Sequence, residues 1–357
     1  MVVTVKKRTF LGMCLLAVVM LYGCQNTSYY SQAISGQFRI LTERQPIEAL
    51  LADEMTSAKL KKQLRLVMEI RRFAEKELML PVEENYSSYV DLQRPYVVWN
   101  VFAAPELSLI PKTWCYPIVG CLSYRGYFDR QDALAYAEIL KNRGFDVYVA
   151  GISAYSTLGW FDDPVLSTFV NYPESNLAGI IFHEMAHQLI YIAGDTEFNE
   201  SFAVAVELEG LRRWFDHRDN PLEFERYLKG RQRREEFVHL VLSYRDRIES
   251  VYQGPYTLAD KRRMKSALFK ELRQAYHQLK VSWGGYAGYD EWFQHPLNNA
   301  KITTVSTYYI FLSAFNEILA SCNGNLEVFY ERCRRLAELP QKQRHRDLKR
   351  IQSGSGA

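Results

Sequence analysis

The sequence is short of three things: a hydrophobic run long enough to cross a bilayer, an excess of charge of one sign, and cysteine. The apolar run from Thr9 to Tyr22 has 14 residues, fewer than the roughly 20 that a spanning helix needs, which argues against a permanent transmembrane segment. Lys and Arg number 44 against 41 Asp and Glu, a formal charge of +3. That whole excess sits in Lys6, Lys7 and Arg8, because residues 1–23 contain no acid. A neutral remainder offers no electrostatic footprint for nucleic acid or for a polybasic membrane patch. Beyond residue 23 the cysteines are Cys24, Cys115, Cys121, Cys322 and Cys333. The last four are separated by five- and ten-residue gaps within each pair, unlike the short spacings of zinc ribbons, which argues against a structural cysteine–zinc site. Internal repeats and long low-complexity tracts are missing too, so the chain is neither a solenoid nor a linker.

What is present begins with a leader. Residues 1–23 carry Lys6, Lys7 and Arg8, then the apolar run, then "LYGC", the tripartite layout of a secretory signal. Leu21, a short spacer, Gly23 and Cys24 resemble the lipobox of bacterial lipoproteins, which implies lipidation of Cys24 and attachment to a lipid bilayer. Gln25 is not the Asp associated with inner-membrane retention, so the expected location is the cell envelope, lipid-anchored at the outer membrane and facing the periplasm. The folded part starts soon after Cys24, on a very short tether. In that oxidising compartment the four remaining cysteines are expected to form two local disulfides, Cys115–Cys121 and Cys322–Cys333.

The pattern of apolar residues divides the rest in two. Leu60, Leu64, Val67, Ile70 and Phe73 recur at three- and four-residue steps and predict an amphipathic helix over 58–79. Segments 96–104, 113–128 and 145–152 are rich in β-branched and aromatic residues and predict strands. A helix over 130–144, closed by Gly144, lies between the last two. Beyond residue 176 strands nearly vanish, and helices are expected at 176–193, 196–214, 222–248, 258–280, 300–318 and 325–337. The fold class is therefore α+β. Its expected organisation is a signal segment (1–23), an α+β region (24–175), a helical region (176–351) and a flexible tail (352–357). The charged faces of the helices at 222–280 read as solvated surface or as a partner surface.

The chemistry concentrates in "IIFHEMAHQLIYIAGDTEFNESFA", residues 180–203. His183 and His187 are four apart, so a helix puts both imidazoles on one face. Glu184 is offset by about 100° and reaches the place of an attacking water rather than that of a third ligand of the same kind, the metallopeptidase reading of H-E-x-x-H. The flanking Ile180, Ile181, Phe182, Met185, Ala186, Leu189 and Ile190 are uncharged, so the helix is buried and its histidines need partners or a metal. Ile190 and Ala193 stand where a third histidine motif would need Gly and His. Glu200 is the remaining candidate ligand: Gly194 ends the first helix, Asp195 or Thr196 caps the second, and the hairpin folds Glu200 back over the histidines. Asn199, in the same Asn-Glu pair, and Glu207, one heptad on, are candidate outer partners of the ligands. Glu207 is equally consistent with a solvated charge.

These residues resemble a family of bacterial zinc aminopeptidases, lipoproteins of the gluzincin type. The resemblance extends to "GCQNTSYYSQAISGQ", "WCYPIVGCLSYRGYF", "AYSTLGWFDDP" and "NNAKITTVSTYY", so it covers most of the chain. It implies a zincin-like metallopeptidase with an N-terminal helix, a small mixed sheet and a mainly helical second half. It also implies one zinc per chain on His183, His187 and Glu200, Glu184 as the catalytic base, and a peptide as substrate. Around that core, Tyr308 or Tyr309 is the candidate oxyanion donor, with core packing as its other reading. Ala154, Tyr155 and Ser156 are expected in an edge strand that binds substrate backbone. Asp162 or Asp163 either binds a free amine or serves as a turn residue beside Pro164. A zinc endopeptidase and a non-catalytic metal-binding envelope lipoprotein remain the alternatives.

Overall fold

The computed structural model describes residues 29–116, 120–154, 162–305 and 309–354. The expected signal segment (1–23), Cys24, Tyr155, Ser156 and Tyr308 lie outside the described residues. Helix α1, over residues 29–42, leads into the two-residue strand β1 (Gln45–Pro46) and the short helix α2 (Ile47–Ala52). α3 (Ala58–Glu77) starts at Ser57, whose side chain accepts from the Leu60 N–H, and buries Leu64, Val67, Ile70, Phe73 and Ala74. Each of those large apolar side chains contributes about 1.5–3 kcal/mol of transfer free energy.

The strands are short and come early. β2 (Ser88–Val90) runs antiparallel to β1 and parallel to β8 (Val165–Leu166), a small mixed sheet. The larger sheet is antiparallel, ordered β6–β3–β7, with β3 (Val98–Pro105) at its centre between β6 (Arg125–Tyr127) and β7 (Phe145–Ile152). β4 (Trp114–Tyr116) and β5 (Gly120–Leu122) form a hairpin in which the register partners Cys115 and Cys121 are disulfide-bonded. Helix α4 (Arg130–Asn142) is capped by Asp129, whose carboxylate accepts from Gln131 and Asp132, and it packs on the larger sheet before Gly144 turns the chain at φ +82°.

Helices make up the rest: α5 (Glu174–Leu189), α6 (Thr196–His217), α7 (Pro221–Gln253), α8 (Leu258–Ser282), α9 (Asp290–Gln294), α10 (Asn299–Ile302), α11 (Leu312–Ser321), α12 (Leu326–Glu338) and α13 (Gln341–Gln352). The main core joins α2, α3, β2 and β8 to α5, α6 and α11–α13, so one apolar interior crosses residue 175. A second cluster lies between α7, α8 and α9, and a third between the β6–β3–β7 sheet and α4. No described helix is long and apolar enough to cross a membrane.

Two expectations are corrected. The single helix over 300–318 is instead α10 and α11 with a break between them. The Thr303 hydroxyl donates back to the Ala300 carbonyl and the Thr304 hydroxyl to that of Lys301, and the β-branched run Thr303–Thr304–Val305 is a poor helix interior. The Cys322–Cys333 disulfide is not formed: both thiols are free and buried. Cys322 caps the end of α11 and Cys333 faces the core from α12, where each packs as a small apolar side chain.

Candidate metal centre

Helix α5 is held by its apolar side. Leu177, Ala178, Ile181, Phe182, Met185 and Ala186 are fully buried, which leaves His183, Glu184 and His187 on the side turned to α6. The helix ends at Leu189, with Ile190 extended. The return loop is pinned at three points. Gly194 takes φ +82°, which favours glycine. The Asn199 side chain accepts from the Ile192 N–H and donates to the Ile192 carbonyl. Asp195 caps α6 through the Phe198 N–H.

Asp195 is itself clamped by two Arg344 donors, at 2.9 and 2.7 Å, and by His345 Nε2 at 2.8 Å, all from α13. The Asp195 and Arg344 side chains are 2 % and 4 % exposed, so removing one partner strands a buried charge. Asp195→Ala is expected to cost about 3–5 kcal/mol of stability, measured by urea unfolding. A loss below about 1 kcal/mol would show that this clamp does not hold the loop.

The loop brings Glu200, in the second turn of α6, over the histidines. His183 Nε2 and His187 Nε2 lie 3.1 Å apart. One Glu200 oxygen is 3.4 Å from the first and the other is 3.5 Å from the second. A small divalent ion bonded to nitrogen and oxygen at about 2.0–2.1 Å in a tetrahedron spaces its ligands about 3.3 Å apart. The three side chains thus fit one ion, and they form the one group of metal-ligating residues of this kind among the described residues. The other nitrogen of His183, Nδ1, is 2.9 Å from Glu207 Oε2. A carboxylate there fixes the tautomer, leaving Nε2 for an ion. His187 Nδ1 is buried with no hydrogen-bond partner.

Electrostatics separate the two histidines. Burial opposes charge on His183, but hydrogen bonds to Glu200 and Glu207 and the nearby carboxylate charges outweigh it and push its pKa up to about 10. His187 is driven down to about 4 by burial and by the His183 charge, only partly offset by Glu200. Burial works against ionised Glu200 and Glu207 as well, and His183 overrides it, holding both carboxyls below their usual range.

The group opens into a cleft of about 310 Å³ shared by His183, Glu184, Glu200, Arg231, Arg234 and Tyr309. Larger grooves on the surface contain none of the three ligands. α7 closes one wall. The Tyr227 hydroxyl donates to Glu207 Oε1, so Glu207 is committed on both oxygens. The Arg231 guanidinium carbon stands 5.1 Å from the centre of the Tyr309 ring. Tyr86, buried and at φ +55°, is close enough to Glu184 and Asp163 that their charges, after burial itself, push its phenol well above the usual range. The sequence reading missed Tyr86, Tyr227, Arg231 and Arg234. The last three were legible as a 4-then-3 step that puts them on one face of α7, where the sequence reads as solvated or partner surface.

The remaining candidates divide. Glu207 contacts His183 directly, whereas the Asn199 side chain hydrogen-bonds the Ile192 backbone. Tyr309 lines the cleft from the break between α10 and α11. Ala154 packs at the margin of the main core. Asp162 is exposed, with its carbonyl accepting from Arg44. Asp163 is buried, its N–H bonded to the Asn85 side chain and its carbonyl to the Tyr86 N–H. Neither aspartate is among the residues that line the metal group's cleft.

A family model described as "Putative aminopeptidase" matches residues 28–348. No curated protein and no solved structure matches the chain.

Proposed function

The chain belongs to the family described as putative aminopeptidases, and from that premise we infer that it is a zinc-dependent peptidase of zincin-like architecture. The observation that carries this reading is the set of 3.1, 3.4 and 3.5 Å spacings among His183, His187 and Glu200, with Glu184 in the same cleft. Two imidazoles and a carboxylate are the donor set of hydrolytic zinc sites, which keep a position open. Zinc held there supplies Lewis acidity and makes a water molecule acidic near neutral pH.

The chain's own residues do the rest. Glu184 takes a proton from the attacking water and passes it to the leaving amine. Glu207 is not available for that role, since one oxygen is held by His183 and the other by Tyr227. Glu207 instead orients His183. The Tyr309 hydroxyl is the candidate donor to the oxyanion, supported by its place in the cleft.

The raised pKa of His183 gives the metal affinity a definite pH dependence. At pH 7 the metal-free His183 carries a proton, because its pKa of about 10 lies above the pH. A ligand imidazole must be neutral, so binding releases that proton. Zinc affinity therefore rises with pH from 7 towards 10, by up to about tenfold per unit. Calorimetry at pH 7 in buffers of different protonation enthalpy should show about one proton released per zinc. Release of none would show that His183 is already neutral in the metal-free protein at pH 7.

Exopeptidase action is tested with matched peptides bearing a free or an acetylated N-terminus. The reading expects cleavage of the free form, lost to a chelator and restored by zinc. Equal cleavage of both forms would make the protein an endopeptidase, and cleavage of neither a binding protein. We also infer attachment to the envelope through acylated Cys24, supported by the "LYGC" sequence. Cys24→Ser should move the protein from the membrane fraction to the soluble one, and retention would refute the anchor.

A further inference from the structure

Two arginines in the cleft have no assigned task. Arg231 and Arg234 are three residues apart on α7 and line the same cleft as His183, Glu184 and Glu200. A guanidinium offers five N–H donors. Among the described residues, Arg231 uses one, in a 3.4 Å contact with Glu235, and its guanidinium carbon lies over the Tyr309 ring, 5.1 Å from the ring centre. The Arg231 side chain is 13 % exposed, so it is largely taken out of water while most of its donors stay uncommitted. The exposed Arg234 makes no hydrogen bond or ion pair among the described residues. The cleft's acids are otherwise engaged: Glu200 sits between the imidazoles and Glu207 bonds His183 and Tyr227.

We propose that Arg231 and Arg234 form a carboxylate-binding subsite, so that the site takes peptides carrying an anionic group close to the scissile bond. The planar fork of an arginine matches a carboxylate in two parallel hydrogen bonds, and Tyr309 keeps the Arg231 fork in place before substrate arrives. Two sources supply this chemistry: the terminal carboxylate of a dipeptide, or the side chain of an aspartate or glutamate. The inference rests on the peptidase reading for its substrate, but the subsite is a property of the side chains and is open to a separate test.

The experiment uses two matched pairs of peptides, Leu-Ala against Leu-Ala-amide and Glu-Ala-amide against Gln-Ala-amide. Each pair is measured twice: for hydrolysis by the zinc-loaded full-length protein, and for binding to the chelator-treated protein by calorimetry. The acid member of one pair should be preferred roughly 10- to 100-fold in kcat/KM, as expected for charge-assisted hydrogen bonds, and should also bind the metal-free protein more tightly. The pair that responds identifies the source. In Arg231→Gln/Arg234→Gln the preference should collapse to about one, whereas Arg231→Lys, which keeps the charge and loses the fork, should retain part of it. No preference in either pair, or a preference that survives the double substitution, overturns the subsite. Binding preference without hydrolysis of any peptide leaves the subsite standing and defeats the peptidase reading instead.

Discussion

Replacement of Glu184 by glutamine is expected to lower kcat by about 10²- to 10⁴-fold while leaving zinc content and the fold in place. The substitution keeps the shape of the side chain and removes its ability to accept a proton. Glu184 is not one of the three ligand side chains, so the metal should stay. It lies beside His183 on α5, half-buried in the cleft. No other carboxylate there can take over: Glu207 is held by two partners, and Glu200 is the third ligand of the proposed site. A variant that keeps its turnover would place the base elsewhere. One that loses zinc together with activity would make Glu184 a structural residue rather than a base.

The second large effect concerns the metal itself. Glu200→Ala removes one of three donors and should weaken zinc binding by more than the roughly 10- to 100-fold that loss of an outer partner costs. Glu207→Gln provides that smaller comparison, since Glu207 reaches the site through the 2.9 Å contact with His183 Nδ1. Competition with a zinc-binding dye gives both constants. The order is the informative part. If Glu207→Gln costs more than Glu200→Ala, the carboxylate of α6 that holds the metal has been misidentified.

The elements with strong local signals were legible in the sequence. Strand β7 runs over Phe145–Ile152, as the β-branched and aromatic run predicted, and α4 ends near Gly144. The helical hairpin followed from Gly194, Asp195 and the fixed spacing of His183, His187 and Glu200. What stayed hidden depends on contacts distant in sequence. Asp195 reads as a cap, but nothing local says that Arg344 and His345 arrive from α13 to clamp it. Tyr86 comes from the loop before β2, about 100 residues ahead of Glu184, and no periodicity links them. Arg231 and Arg234 carried the right spacing, yet a charged helix face in a sequence reads as solvent until the opposing wall of the cleft is known. The interruption of the helix expected over 300–318 is local in origin, since Thr303 and Thr304 bond back to their own turn.

The claim beneath these expectations is that one ion is shared by side chains of α5 and α6. Zinc K-edge X-ray absorption of the purified protein tests it most directly. The account predicts four light neighbours, nitrogen and oxygen, at about 2.0–2.1 Å, with the outer-shell signature of two imidazoles. A sulfur neighbour at about 2.3 Å would place the metal on the buried thiols Cys322 and Cys333 instead, and would contradict the account.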